Sequence, residues 1–525
     1  MKQSSLKRIR VGVAVFFFVL TAFVFVDFSE IIPVHWFKGI LDIQFIPSLL
    51  DFVSNFAITS IGFIIVLILT ILFGRIYCSS FCPLGILMDI ITRISKRFRK
   101  RKIFRFGKAH HFFRYGFLIV TIAFLLFGSM LMINMLDPFS NFGRIMANLI
   151  RPMYLFVNNS LASLLESMNI YAMYREEFRI PNMFAILFPL GFLMLLIYFA
   201  AFHGRLYCNT VCPVGTLLGL LSHLSVFKIG INRTACTLCG DCSRVCKASC
   251  INIKEAKVDM SRCVACYNCL TSCPENGIKY MRPFSSDKKN ELAHNDPSRR
   301  KSIATLLTLF AATIPLKSIT QGQQQKNKAK LSGTIPTNKY YPISPPGSVS
   351  IEHFTNFCTA CHLCISACPT QVLQPSLSEY GLEGILQPHL DNQHSFCNYD
   401  CVVCSEVCPS GAIRSLSIDE KHKTQIGEVQ LVLDNCVVTT KYKDCGSCAE
   451  HCPTQAVHMI PWEKGLKIPT LNREICIGCG ACEYACPTKP FKAIFVDGNP
   501  VHLIVKKAKS TEIEQLFNPE EDFPF

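Results

Sequence analysis

Cys236, Cys239, Cys242 and Cys246 follow one another as Cys-x2-Cys-x2-Cys-x3-Cys, and the pattern returns at Cys263, Cys266, Cys269 and Cys273, with Pro274 behind it. Nothing else in the chain limits its fold so strongly. Three thiolates on one tight loop suit three irons of a cubane, and a fourth, beyond a short helical turn, points to a second cubane. The expected sets are Cys236, Cys239, Cys242 and Cys273 on one [4Fe–4S] cluster, and Cys263, Cys266, Cys269 and Cys246 on the other. Structural zinc takes two Cys-x2-Cys pairs per ion and has no use for a third and fourth cysteine at these offsets.

The run resembles that of the bacterial two-cluster ferredoxins, with Lys247 where a proline is usual. The chain has 525 residues, 29 cysteines and a formal net charge of +16. Such a length implies several domains. Disulfide frameworks of this density belong to short secreted chains. Twenty-four cysteines fall into six sets of four, and four more into two Cys-x3-Cys-Pro pairs. Only Cys250 is left, read as a small buried hydrophobe. The positive charge sits beside apolar spans, so membrane topology explains it more simply than nucleic acid, and no nucleic-acid partner is expected.

Residues 1–230 read as an all-α polytopic membrane domain. Four segments, about 11–28, 56–73, 115–136 and 183–203, are apolar and near the spanning length. Residues 36–52 are mixed and suit either the interface or packing in the outer loop. Lys and Arg crowd the N-terminus and the loop from Arg93 to Lys108, which places both in the cytoplasm together with residues 231–285. Spans two and four end alike, in Gly74-Arg75-Ile76-Tyr77-Cys78-x3-Cys82-Pro83 and Gly204-Arg205-Leu206-Tyr207-Cys208-x3-Cys212-Pro213. This is an internal two-fold repeat. Residues four apart share a helix face, so Cys78, Cys82, Cys208 and Cys212 are candidates for a further metal, cluster or redox site. Arg75 and Arg205 are expected at lipid headgroups or beside thiolates, and His110, His111, Arg114 and His203 at span ends as interfacial anchors.

These repeated motifs followed by paired cluster motifs resemble the NapH/NosR family of membrane ferredoxin-type proteins. The resemblance covers about residues 1–280. It implies a multi-pass protein of the bacterial inner (cytoplasmic) membrane that draws electrons from the quinol pool, with quinone as its substrate.

Residues 286–350 form a crossing. Arg299-Arg300 precede about fourteen apolar residues, 303–316, resembling a twin-arginine signal. This is the expected fifth, short transmembrane or signal-like helix, followed by a linker with Pro345-Pro346. Residues 351–525 then lie in the periplasm. They carry four sets: Cys358, Cys361, Cys364, Cys368; Cys397, Cys401, Cys404, Cys408; Cys436, Cys445, Cys448, Cys452; and Cys476, Cys479, Cys482, Cys486. Each set ends in Cys-Pro, and short β-prone pieces follow, as in α+β ferredoxin-like dicluster modules. Cys358-Thr359-Ala360-Cys361-His362 matches the haem-attachment pattern but is contained in a complete cluster motif. The tail resembles NapG, the periplasmic four-cluster ferredoxin. In related proteins the first motif pairs with the last and the middle two pair; the spacing leaves the pairing open.

The expectation is a membrane-bound conduit passing electrons from quinol through six [4Fe–4S] clusters to a periplasmic reductase or cytochrome. No acid–base constellation stands out, so substrate conversion belongs to that partner. The alternatives are a redox maturation factor or a membrane redox-sensing regulator of the NosR type.

Overall fold

The computed structural model describes residues 3–26, 34–55, 61–98, 104, 106–107, 109–176, 183–281 and 334–505. The twin-arginine-like pair and the apolar residues 303–316 lie outside them.

The first half is helical: α1 (Gln3–Val26), α2 (Val34–Leu41), α3 (Phe45–Asn55), α4 (Gly62–Phe73), α5 (Tyr77–Ser80), α6 (Pro83–Phe98), α7 (His111–Leu126), α8 (Leu131–Leu136), α9 (Pro138–Ile145), a π-turn (Met146–Ile150), α10 (Arg151–Ser167), α11 (Met183–Phe202), α12 (Leu206–Thr210) and α13 (Pro213–Ser222). Among the described residues only α1 (from Ser5) and α11 are long and apolar enough to cross a membrane, and 22% of each apolar window is buried. The α4 and α7 helices are shorter apolar helices.

Local chemistry explains the ends. Gly74, at φ +81°, closes α4 by returning its N–H to Thr70, a left-handed stop that suits glycine. The expected third span, 115–136, is not one helix. Gly128, at φ +77°, follows α7, and the chain restarts at Leu131. The stretch after it, expected only as a loop, is helical. Asp137 caps α9 through Ser140 N at 2.8 Å, with Pro138 in the first turn, the usual chemistry of a helix start.

Among the described residues, five two-stranded antiparallel sheets complete the fold. In residues 228–281, β1 (Lys228–Ile231) pairs with β4 (Ile278–Met281) and β2 (Ile251–Asn252) with β3 (Lys257–Val258). In the tail, β5 (Leu373–Pro375) pairs with β6 (Pro388–Leu390), β7 (Thr424–Leu431) with β10 (Ile494–Ile504), and β8 (Val457–Pro461) with β9 (Lys467–Leu471).

Both cysteine-rich parts dock on the helices. Lys7 donates to Thr271 at 3.2 Å, Ser222 to the Met260 carbonyl at 2.8 Å, and Arg114 to Ser261 at 2.9 Å. The tail docks elsewhere. Ser54 meets His353 at 3.2 Å and Asn148 meets His362 at 2.8 Å. A Cβ on Gly143 would stand 2.3 Å from the Cys361 carbonyl and 2.7 Å from the Phe25 ring. The two modules therefore meet α1 near Lys7 and near Phe25, which at 1.5 Å per residue lie about 27 Å apart.

Candidate metal centres

Four loops of the form Cys-x2-Cys-x2-Cys share one backbone device. The residues on either side of the middle cysteine are left-handed: Leu238 and Gly240, Ala265 and Tyr267, Ala360 and His362, Gly478 and Gly480. Five are not glycine, and a left-handed conformation costs such residues energy. It curls the loop into a nest with amides turned inward. Ala360 N–H lies 3.4 Å from Cys358 Sγ. Backbone N–H groups also reach the sulfurs of Cys361, from Leu363, and of Cys479, from Ala481.

The fourth cysteine of each motif lies with the first three of another. Cys246 sits with Cys263, Cys266 and Cys269 around one cavity, and Cys273 with Cys236, Cys239 and Cys242. These are the expected groupings. In the tail, Cys408 lies against Cys358, Cys361 and Cys364, while Cys368 lies with Cys397, Cys401 and Cys404. Cys486 lies with Cys436, Cys445 and Cys448, and Cys452 with Cys476, Cys479 and Cys482. Pairing is therefore sequential, first with second and third with fourth, unlike the first-with-last arrangement of related proteins.

Three of these sets line small, partly open pockets. Among the described residues no three His, Cys, Asp or Glu side chains converge on one ion. A ring of sulfurs around a space, with inward amides, fits a cluster better than zinc. Burial first, and neighbouring sulfurs after it, push the thiols of Cys269, Cys364, Cys404 and Cys482 up; Cys448 rises to about 12. A cationic metal core reverses that balance and holds them as thiolates.

His362 is buried, with Nδ1 facing the Asn148 amide and Nε2 facing the Leu386 carbonyl, both at 2.8 Å. Its ring is engaged on both sides. Cys250 is buried as expected, but its sulfur lines the same cavity as Cys246, 3.5 Å from that sulfur.

Cys78, Cys82, Cys208 and Cys212 are all buried and are brought together from the two halves of the helical body. Arg75 and Arg205 are not at a lipid surface. Both are fully buried beside these cysteines. Arg114 is likewise buried, against Ser261, while His110, His111 and His203 are exposed.

Sequence reasoning missed Asp89. It receives Arg205 Nε at 2.9 Å, Lys247 Nζ at 3.2 Å and Arg10 Nη1 at 3.3 Å. Burial opposes its charge, but Arg205, Lys247 and Arg10 hold the carboxyl well below the ordinary range. Its one signal was being a lone acid between an apolar span and a basic loop.

Fold and cysteine cradles together define an iron–sulfur electron-transfer protein of several ferredoxin modules. Family comparison agrees. A "4Fe-4S binding domain" matches twice, at residues 56–102 and 184–232. "4Fe-4S dicluster domain" families match at 357–413 and 441–489. The ferredoxin-type protein NapF of Escherichia coli (strain K12) is 28% identical over 154 residues, 29% of this chain and 85% of the relative. The methylamine utilization ferredoxin-type protein MauM of Methylorubrum extorquens is 32% identical over 153 residues, 27% of this chain and 67% of that protein. The ferredoxin-type protein NapG of E. coli K12 is 28% identical over 155 residues, 27% and 65% respectively. No solved structure matches. The chain belongs to the ferredoxin-type iron–sulfur proteins.

Proposed function

We propose that this chain is a membrane conduit that takes electrons from quinol and passes them, through six [4Fe–4S] clusters on the 24 cysteines of the six sets, to a reductase or cytochrome on the far side. It joins a NapH/NosR-like membrane part to a NapG-like four-cluster tail. One observation carries this reading: the two cluster-bearing modules dock about 27 Å apart along α1, near Lys7 and near Phe25. That is close to the thickness of a bilayer's hydrocarbon core. Exposed apolar side chains on the helices between them, such as Phe112, Ile119, Leu187 and Met194, support the same placement.

The test uses the full chain in inverted and right-side-out membrane vesicles, handled anaerobically. A reduced quinol analogue is expected to reduce its clusters, read as a visible bleach and an electron paramagnetic resonance signal. A membrane-impermeant oxidant should drain them only from the face bearing the tail. Clusters that stay oxidised with quinol, or drain equally from the opposite face, overturn the reading.

A further inference from the structure

We infer that Cys78, Cys82, Cys208 and Cys212 hold a further iron–sulfur cluster, buried between the two docked modules and relaying electrons from one to the other. The inference extends the conduit reading to a site that the six cysteine sets do not include.

Each of the four sulfurs faces one donor, two guanidinium groups and two backbone N–H groups. Arg75 Nη2 lies 3.8 Å from Cys78 Sγ, and Arg205 Nη1 lies 3.8 Å from Cys208 Sγ. Cys212 Sγ takes the Gly215 N–H at 3.3 Å, at the start of α13, and the Gly85 N–H in the first turn of α6 reaches Cys82. A helix N-terminus favours a thiolate, as does a guanidinium. Neutral packed thiols need none of these donors. Ligated sulfurs use them, because N–H···S bonds from surrounding residues tune and hold the cluster.

The second observation is Arg75 itself. It is fully buried. Its donors go to Asn209 Oδ1, to the carbonyls of Ser261 and Cys208, and to Cys78 Sγ. Among the described residues it forms no ion pair with a carboxylate, and its Nε has no partner. A buried cation needs a counter-charge. Among its contacts, Cys78 Sγ is the group that can carry one. Four thiolates around an oxidised iron–sulfur core leave a dianion, beside which Arg75 stands without a carboxylate while Arg205 is shared with Asp89. A single ion is a poorer fit, since no such convergence exists among the described residues.

The position suits a relay. Arg75 also touches the Ser261 carbonyl, two residues before Cys263. On the other side, Tyr207 donates to the Leu136 carbonyl at 2.9 Å, next to Asp137. Arg144, in the adjoining α9, interacts with Asp137, Tyr207, Cys361 and Cys358. One electron enters from the module at residues 263–269 and leaves toward Cys358 and Cys361. No bond to the protein is made or broken.

The experiment compares anaerobically purified full chain with the Cys82→Ala/Cys212→Ala double variant. Iron and acid-labile sulfide are counted, and the reduced protein is examined by electron paramagnetic resonance. The variant is expected to lose about two or four irons per chain, the content of a four-cysteine cluster, with matching sulfide and one signal. Wild-type iron and sulfide in the variant overturn the inference. Should the double variant not fold, Arg75→Gln serves. It should keep its iron and lower the potential of one centre alone, and unchanged potentials throughout overturn the proposal. Iron missing from the unaltered chain would instead sink the wider conduit reading.

Discussion

Nη1 of Arg205 donates to the carbonyl oxygen of Cys78 across 2.8 Å, although 127 residues separate them. Arg75 returns the contact, 3.0 Å from the carbonyl of Cys208. Each arginine passes over a glycine of the other motif. A Cβ on Gly85 would stand 2.3 Å from the Cys78 carbonyl and 2.6 Å from Arg205; one on Gly215 would stand 2.2 Å from the Cys208 carbonyl and 2.8 Å from Arg75. The two motifs are thus locked together by their side chains rather than merely adjacent.

Gly85→Ala and Gly215→Ala are therefore expected to destabilise the helical body by about 1–3 kcal/mol each, the usual cost of overpacking. Gly191→Ala, in α11 with open space around its Cβ position, is the control. It should be neutral or mildly stabilising, by up to about 1 kcal/mol. Thermal unfolding in detergent reads the difference. Equal melting of all three variants would contradict the interlock.

Asp89 ties together α1, the second motif and the ferredoxin module through Arg10, Arg205 and Lys247. Lys247 stands where such modules usually carry proline. Its carbonyl also receives Arg205 N–H at 2.9 Å. Asp89→Asn leaves buried Arg205 without its carboxylate, a loss of roughly 3–5 kcal/mol for a buried pair. Limited proteolysis should then release the module at residues 231–281 much faster. Lys247→Pro removes one more exposed arm and should do so less. Unchanged cleavage in Asp89→Asn would show that the module docks by other means.

The cysteine sets were legible because cluster ligation fixes their spacing, and the first module's groupings followed from the same rule. The arginines were left between two outcomes for a physical reason: at the end of an apolar helix a guanidinium has two outlets, lipid headgroups or a partner. Nothing near Arg75 in sequence reveals Asn209 or Ser261. The break at Gly128 and the helix begun by Asp137-Pro138 did leave local signals, a glycine-serine pair and a capping residue before proline. Hydropathy over a long window hid both. The tail's pairing depends on how far the chain travels between motifs, which ligand spacing does not encode.

That pairing makes a prediction of its own. If Cys368 shares a centre with Cys397, Cys401 and Cys404, then Cys368→Ala added to Cys404→Ala should cost no further iron. Cys408→Ala added to Cys404→Ala should cost about four more atoms, one cubane, because Cys408 belongs with Cys358, Cys361 and Cys364. Additivity between separate sites and its failure within one is the logic of a double-mutant cycle. A further cubane lost on adding Cys368→Ala, equal to that lost on adding Cys408→Ala, would restore the first-with-last pairing.

His362 gives the docked tail a pH dependence of known sign. The ring is buried, accepts from the Asn148 amide and donates to the Leu386 carbonyl. Burial first, and Arg144 second, lower its pKa to about 3 from the ordinary 6.5. The folded state thus keeps this histidine neutral, while the undocked or unfolded chain takes up a proton below pH 6.5. Its contribution to stability is whole above that value. It declines as the pH falls toward about 3, by up to roughly 1.4 kcal/mol per pH unit. A protonated ring also has no lone pair for Asn148. Lowering the pH from 7.5 to 5.5 should therefore speed proteolytic release of the tail from the helical body. His362→Gln, which does not titrate, should flatten that dependence while weakening docking at pH 7.5. If the variant shows the same acid response as the parent, the sensitivity arises elsewhere and the neutral buried ring is not its cause.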